Sequence, residues 1–245
     1  MYTVAIVTFD KRFEQWLKPL IIEIKRQRPN VEIILGINGS KSGMMDEYRE
    51  SILSFISKYP KTYPTIYPTF RSLSKIWNLA VQFSSNDKVL ILNDDITLED
   101  GFFDAYEDCV ATRASFTINC SFSAFSVSRN ELLVLNWFDE RLLGVGLEDS
   151  DFVRRYNYDH PSEEFLNVNI ESCKNVDDER FHKVHNEKLS KQIKLEHNNN
   201  GERLIEQELD PKFGRYTKFN YGVDLRNPLV QYPYERFYLD NKHKL

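Results

Sequence analysis

The first part of the chain alternates short apolar runs with longer segments whose apolar residues recur at helical spacing. TVAIVTF, residues 3 to 9, carries no polar alternation, which is typical of a strand buried on both faces of a parallel sheet. VEIILGI, residues 31 to 37, and Lys88 to Leu92 repeat this pattern. The alternation predicts an α/β fold with a mostly parallel central sheet, flanked by helices and joined by right-handed crossovers.

Helices are predicted between these strands. RFEQWLKPLIIEIKRQRP, residues 12 to 29, places apolar side chains at helical spacing, and we expect a kink at Pro19. Further helices are expected near Asp46 to Lys58 and near Ser72 to Phe83, with a short extended piece near Thr65 to Tyr67 between them.

Polar clusters follow three of the predicted strands, at Thr8 to Asp10, Asn38 to Ser40 and Asn93 to Asp95. The carboxyl ends of parallel strands meet at one edge of a sheet, and ligands bind beyond that edge. The sequence therefore predicts a ligand site formed by these clusters.

Asp94 and Asp95 are the most informative pair, because a buried strand delivers two adjacent carboxylates that repel each other. A divalent cation held by oxygen ligands and a substrate diphosphate would offset their charge. The alternative is a capping Asp pair at a strand-to-helix turn. An EF-hand loop starting at Asp94 is excluded by Ile96 and Glu99, and an aspartyl phosphatase by the amide of Asn93.

Three motifs resemble the GT-A glycosyltransferases, especially the inverting family 2 type. LNDDI, residues 92 to 96, resembles their Asp-x-Asp region; FDERLLGVGLEDSDFVRR, residues 138 to 155, resembles their Glu-Asp motif; and SLSKIWNLA, residues 72 to 80, resembles their donor helix. The resemblance implies a Rossmann-like GT-A catalytic domain over residues 1–190. We expect residues 191–245 to form an irregular extension that packs on this domain and covers the acceptor.

The resemblance also implies residue roles. Asp95 is the expected ligand of Mn²⁺ or Mg²⁺, with His185 as a third ligand and His182 as its alternative. Asp149 is the expected general base and Glu148 its partner for acceptor hydroxyls. The expected donor-binding residues are Thr8, Phe9, Asn38, Arg71, Asn78, Asn93 and Asp94, the last approaching the ribose or the water shell of the metal.

Other interpretations of these residues stay open. Glu148 and Asp149 would also suit the start of a helix, where the dipole favours acidic side chains, and Arg71 would suit a solvated surface. Gly144 and Gly146 favour the catalytic interpretation, because a turn with few side chains lets a sugar approach the backbone.

The sequence departs from the family pattern in places. Asn38 stands where many relatives carry an Asp that grips the nucleotide, so the base is left open, with a UDP-sugar favoured. Asn93 replaces the first Asp of the metal motif, and Ile76-Trp77-Asn78 replaces the usual Ala-Arg-Asn.

Composition excludes some functions. A net charge of -5 and a pI near 5.6 argue against nucleic-acid binding. Three cysteines without metal-type spacing predict neither a disulfide framework nor a zinc site. No apolar stretch approaches membrane-spanning length. The cysteine usage fits a reducing cytoplasm, so we expect a cytoplasmic protein. The basic residues between Lys212 and Lys244 would suit peripheral contact with the inner face of the membrane, an anionic acceptor or a solvated surface.

We therefore predict a metal-dependent hexosyltransferase that moves a sugar from a nucleotide diphosphate donor to a hydroxyl of a glycan or lipid-linked glycan. Synthesis of a bacterial capsule or lipopolysaccharide is the expected setting. Two alternatives remain: a nucleotidyltransferase acting on sugar phosphates, although its Gly-rich loop is missing after the first strand, and a noncatalytic sugar-binding domain.

Overall fold

A computed structural model describes residues 1–9, 12–39, 46–68, 71–135, 137–138, 148–160, 165–175, 204–205 and 219–220. In these ranges no helix combines the length and the apolar character needed to cross a membrane.

The first half of the molecule contains the alternating elements that the sequence predicts. In chain order they are β1 (Thr3–Thr8), a π-helical turn (Phe13–Leu17), α1 (Lys18–Gln27), β2 (Glu32–Ile37), α2 (Asp46–Ile56), β3 (Thr62–Ile66), α3 (Leu73–Phe83) and β4 (Lys88–Asn93). The extended piece expected near Thr65 is therefore a full strand that begins at Thr62.

The second half adds shorter elements. They are β5 (Ile96–Leu98), α4 (Phe102–Thr112), β6 (Phe116–Ile118), β7 (Ser121–Ser128), α5 (Arg129–Val134), α6 (Glu148–Asp159), β8 (Asn167–Val168), β9 (Cys173–Asn175), β10 (Leu204–Ile205) and β11 (Phe219–Asn220). β5 pairs with β9, and β10 with β11, as separate antiparallel ribbons.

The central sheet has seven strands in the order β3-β2-β1-β4-β7-β6-β8. The first four run parallel, as predicted. β7 is inserted antiparallel between β4 and β6, and β8 is parallel to β6. The prediction of a mostly parallel α/β sheet is confirmed. Because β1 and β4 are neighbours, the residues after these two strands meet at one edge.

Helices cover both faces of the sheet. Val4 and Ile6 of β1 pack into a core formed with α1, α2 and α4, whereas the alternate residues Ala5 and Val7 pack into a second core with α3, α5 and α6. This double burial explains why the strands carry apolar residues at successive positions.

A π-helical turn precedes α1, in which Pro19, the position of the expected kink, is the second residue. The backbone N–H of Leu17 donates to Arg12 O at 3.2 Å, and that of Lys18 donates to Phe13 O, each reaching five residues back. Proline has no N–H to continue an α-helical ladder, and a wide turn before it absorbs the interruption. The turn begins next to Arg12, which belongs to the site described below.

Helix α3 lies unusually close to β2. A Cβ atom built on Gly36 would stand 2.5 Å from Cγ2 of Ile76, which is far inside van der Waals contact. Glycine at this strand position therefore permits the close approach of α3.

We predict that Gly36→Ala destabilises the protein by about 1–3 kcal/mol, because the added methyl overpacks the interface with Ile76. Urea unfolding followed by circular dichroism measures the change. Adding Ile76→Ala should relieve the overpacking. The double variant should therefore lose less free energy of unfolding than the two single variants lose together. Strictly additive costs would contradict the proposed contact.

Candidate functional site

Two adjacent carboxylates lie at the carboxyl end of β4, in the turn that joins it to β5. Asp94 and Asp95 are 3% and 8% exposed. Carboxylates are rarely buried to this degree without charge compensation. The surroundings of this acidic pair therefore decide what the site can bind.

The last residue of β1 and a residue shortly after this strand supply that compensation. The Thr8 hydroxyl donates to Asp94 Oδ2 at 2.6 Å, and Arg12 Nε donates to Asp94 Oδ1 at 2.7 Å. Arg12 Nη2 lies 2.7 Å from Asp95 Oδ2, so that one guanidinium bridges both carboxylates. The prediction that the polar residues after β1 and β4 lie together is confirmed for Thr8 and Asp94.

Burial and charge oppose each other in this cluster. The pKa of Asp94 is raised to about 7, chiefly by burial. The charge of Arg12 and the hydrogen bond from Thr8 oppose this rise, and the neighbouring Asp95 adds to it. Burial by itself lowers the pKa of Arg12, but the charges of Asp94 and Asp95 raise it above its ordinary value. Arg12 thus stays charged, whereas burial works against the ionised form of Asp94.

One carboxylate oxygen of the acidic pair has no hydrogen-bond partner among the described residues. This oxygen, Asp95 Oδ1, is buried. A buried carboxylate oxygen without a hydrogen-bond partner lowers the stability of the folded protein unless a ligand pairs with it. A hard oxygen donor of this kind fits Mn²⁺ or Mg²⁺, which take their remaining ligands from phosphates and water.

The described ranges contain no group of three or more His, Cys, Asp or Glu side chains that would hold a metal by themselves. Of the predicted ligands, Asp95 is described, whereas His182 and His185 lie outside the described residues.

Sequence reasoning missed Arg12 and Tyr48 as members of the site. Tyr48 on α2 donates its hydroxyl hydrogen to Phe9 O at 2.6 Å and lies 3.3 Å from Thr8 Oγ1. The Arg12 guanidinium lies 5.0 Å from the centre of the Phe9 ring and 6.0 Å from that of Trp16. The only signal was the presence of a cation shortly after β1, and a single arginine is too common to single out.

Asn38, at the end of β2, holds the backbone of Arg71. Its Nδ2 donates to Arg71 O at 2.8 Å, and its Oδ1 accepts from Arg71 N at 2.8 Å and from Gly39 N at 3.0 Å. The structure thus brings together two predicted donor-binding residues. These bonds use both oxygen lone pairs of the amide and leave one Nδ2 hydrogen.

The other predicted amides have different surroundings. Asn78 is fully buried in α3, donating to Phe138 O at 2.8 Å and accepting from Phe138 N at 3.1 Å. It therefore ties α3 to the segment that precedes α6. Asn93 donates to Ser123 Oγ at 3.3 Å, as does Asn175 of β9.

Glu148 and Asp149 form the first turn of α6, as the helix-start interpretation predicts. Glu148 is buried and Asp149 is partly exposed. Phe152 anchors this helix in the core, with its ring centre 4.6 Å from that of Phe138. Gly144 and Gly146 lie outside the described residues. Acidic side chains in this position suit the helix dipole.

No protein-family model matches the sequence, and no curated protein sequence is significantly similar to it. Solved structures do match. The chain is 14% identical to the mannosyltransferase PcManGT from Pyrobaculum calidifontis in complex with GDP-Man and Mn²⁺, with a TM-score of 0.57, covering 75% of this chain and 59% of that one. It is 13% identical to residues 1–349 of S. aureus TarS in complex with UDP, with a TM-score of 0.55, covering 75% of this chain and 62% of that one.

A nucleotidyltransferase also matches. A putative glucose-1-phosphate thymidylyltransferase from Bacillus anthracis is 8% identical, with a TM-score of 0.50, covering 70% of this chain and 87% of that one. The likeness to PcManGT and TarS confirms the GT-A resemblance at the level of the fold. The chain spans 59% and 62% of those two structures, so activity must be argued from its own residues.

We predict that Asn38→Asp destabilises the protein at neutral pH by about 1–3 kcal/mol, because a carboxylate cannot donate to Arg71 O and is repelled by it. Protonation restores a donor, so the penalty should shrink as the pH falls. Urea unfolding at several pH values measures both effects. Equal stability of variant and wild type at neutral pH would show that the amide does not hold Arg71.

Proposed function

We propose that the chain is an inverting, metal-dependent glycosyltransferase that moves a sugar from a nucleotide diphosphate donor to a hydroxyl of a glycan. The observation that carries this proposal is the buried Asp94–Asp95 pair at the carboxyl end of β4, with Asp95 Oδ1 unsatisfied, on a GT-A fold. Such an edge of a parallel sheet is where nucleotide ligands bind.

Asp95 is the proposed metal ligand, through Oδ1, with His185 as a further ligand and His182 as the alternative. When bound, Mn²⁺ or Mg²⁺ would neutralise the leaving diphosphate. Support comes from the unpaired oxygen of Asp95 and from the hard donor set. PcManGT, which shares the fold, is bound to Mn²⁺.

The donor is proposed to bind along the carboxyl edge of the sheet. Asp94 would approach the ribose or the water shell of the metal, and Arg71 would meet the diphosphate from a backbone position set by Asn38. A UDP-sugar is favoured, although TarS binds UDP and PcManGT binds GDP-Man, so that the fold accepts more than one base. The remaining proposed donor contacts come from Thr8, Phe9, Asn78 and Asn93.

Asp149 is the proposed general base. Its carboxylate would take the proton of the acceptor hydroxyl as the hydroxyl oxygen attacks the anomeric carbon, while the bond to the diphosphate breaks and the diphosphate leaves with the electron pair. Attack from the side opposite the leaving group inverts the configuration. Glu148, buried beside Asp149 at the start of α6, would bind acceptor hydroxyls.

The acceptor is proposed to be a glycan or lipid-linked glycan of a bacterial surface polysaccharide, such as a capsule or lipopolysaccharide. Residues 191–245 would cover it as an extension of the catalytic domain formed by residues 1–190.

Calorimetric titration of UDP, GDP and CDP tests the donor site, with Mn²⁺ present and then with EDTA. We expect one nucleotide to bind in Mn²⁺ and its affinity to fall sharply in EDTA. Absence of binding under both conditions would reject the metal-bridged donor site.

Asp149→Asn should lower the transfer rate by about 100- to 10,000-fold, because it removes the base, while nucleotide affinity stays nearly unchanged. Asp95→Asn should instead lose Mn²⁺-dependent nucleotide binding. Asp104→Asn, at an exposed carboxylate of α4, is the matched control and should leave both measurements unchanged. If Asp149→Asn also lost nucleotide binding, Asp149 would be structural rather than catalytic.

A nucleotidyltransferase acting on sugar phosphates is the second candidate, because the putative thymidylyltransferase has a similar fold. Its reaction needs a site for the triphosphate near the end of β1. In this chain Thr8 and Arg12 lie there, and both donate hydrogen bonds to the carboxylate of Asp94. Release of pyrophosphate from a nucleoside triphosphate and a sugar 1-phosphate would identify this activity. Release of a nucleoside diphosphate from a nucleotide sugar would identify the transferase.

A further inference from the structure

We propose that Arg12 is a resident counterion of the Asp94–Asp95 pair that weakens the binding of a free divalent cation at Asp95. The inference rests on the proposed function only for the identity of the cation. It deepens that function by assigning control of metal affinity to a residue outside the predicted site.

Arg12 bridges the pair in the way that a bound cation would. Its Nε and Nη2 each lie 2.7 Å from an oxygen of a different carboxylate, and its side chain is only 9% exposed. The guanidinium also lies near the rings of Phe9 and Trp16, at 5.0 and 6.0 Å from their centres. Charge-assisted bonds and cation–π contacts thus hold the guanidinium at the site.

Charge explains why this arrangement opposes a metal. Two ionised carboxylates and one guanidinium sum to one negative charge, so that a divalent cation at Asp95 would leave the cluster positive beside the fixed charge of Arg12. Without Arg12 the same cation would neutralise the pair. Repulsion between cations a few ångströms apart in a buried site is strong enough to change affinity by about tenfold or more.

The same positive charge would favour an anionic diphosphate. When the metal binds together with the diphosphate, the negative charge of the diphosphate offsets the charge of the metal. The repulsion between the metal and Arg12 is then relieved. The proposal therefore predicts weak binding of the free cation and stronger binding of the cation together with the nucleotide.

A different role for Arg12 predicts the opposite result. If Arg12 only oriented Asp95 towards the metal, its loss would weaken metal binding by about 10- to 100-fold. The counterion role is favoured because Thr8 already holds Asp94, and because Arg12 takes Oδ2 of Asp95 while Oδ1 remains unsatisfied. The sign of the change in affinity separates the two roles.

Binding of Mn²⁺ alone to Arg12→Gln, followed by electron paramagnetic resonance of the free ion, is the decisive measurement. We expect affinity about tenfold above that of the wild type. Arg28→Gln is the matched control, since Arg28 also bridges two carboxylates, Asp104 and Glu107, and we expect no change there. Adding Asp95→Asn to Arg12→Gln should abolish the gain.

Thermal unfolding gives a second measurement that does not depend on activity. Arg12→Gln should have a lower Tm than the wild type in EDTA, because the buried carboxylates lose their partner, and should gain more from Mn²⁺ than the wild type gains. If Arg12→Gln does not fold, Mn²⁺ binding by Arg12→Lys tests the counterion role. Lysine keeps the positive charge, so the affinity for Mn²⁺ should stay as weak as in the wild type.

Equal or weaker Mn²⁺ binding by Arg12→Gln, including no binding by either protein, would overturn the counterion role. So would weaker binding by Arg12→Lys than by the wild type. Failure of the proposed function appears in a different measurement. Tighter Mn²⁺ binding by Arg12→Gln in a protein that binds no nucleotide would uphold the role of Arg12 and reject the transferase.

Discussion

The Asp94–Asp95 pair is the most demanding feature of the molecule, because it buries two adjacent carboxylates at the end of a central strand. Like charges in a site of low polarity are tolerated only when opposite charge and hydrogen bonds offset their repulsion and desolvation. Thr8 and Arg12 provide both, and they do so because the sheet places β1 beside β4. The order of the strands is thus a condition for the site as well as for the core.

The rest of the carboxyl edge is held by backbone contacts to side-chain amides. Asn38 fixes the chain at Arg71, and Asn78 fixes the chain at Phe138, which packs against α6. Buried amides that pair with backbone groups of distant segments make their positions specific, since a shift would leave polar groups unsatisfied. Two residues predicted to contact the donor therefore also support the elements that carry Arg71 and Asp149.

The fold itself is shared by enzymes of different chemistry, since both glycosyltransferases and a putative thymidylyltransferase match the chain. Function must therefore be inferred from the site. An acidic pair that already holds a resident guanidinium differs from a bare metal site, because its electrostatic state depends on which charged group arrives. In the proposed transferase, this property would connect the geometry of Arg12 with the order in which cation and diphosphate bind.

The sequence by itself determined the alternation of strands and helices and the place of Asp94 and Asp95 at a strand end, and it offered a helix start at Glu148 as one of two interpretations. These features depend on hydrophobic periodicity and helix capping, which act over a few residues. Only the tertiary structure decided that Arg12 bridges the acidic pair, that Asn38 holds Arg71, and that β7 enters the sheet antiparallel. The partners in the first two contacts are 82 and 33 residues apart, and no local pattern specifies which distant side chains meet when the elements pack.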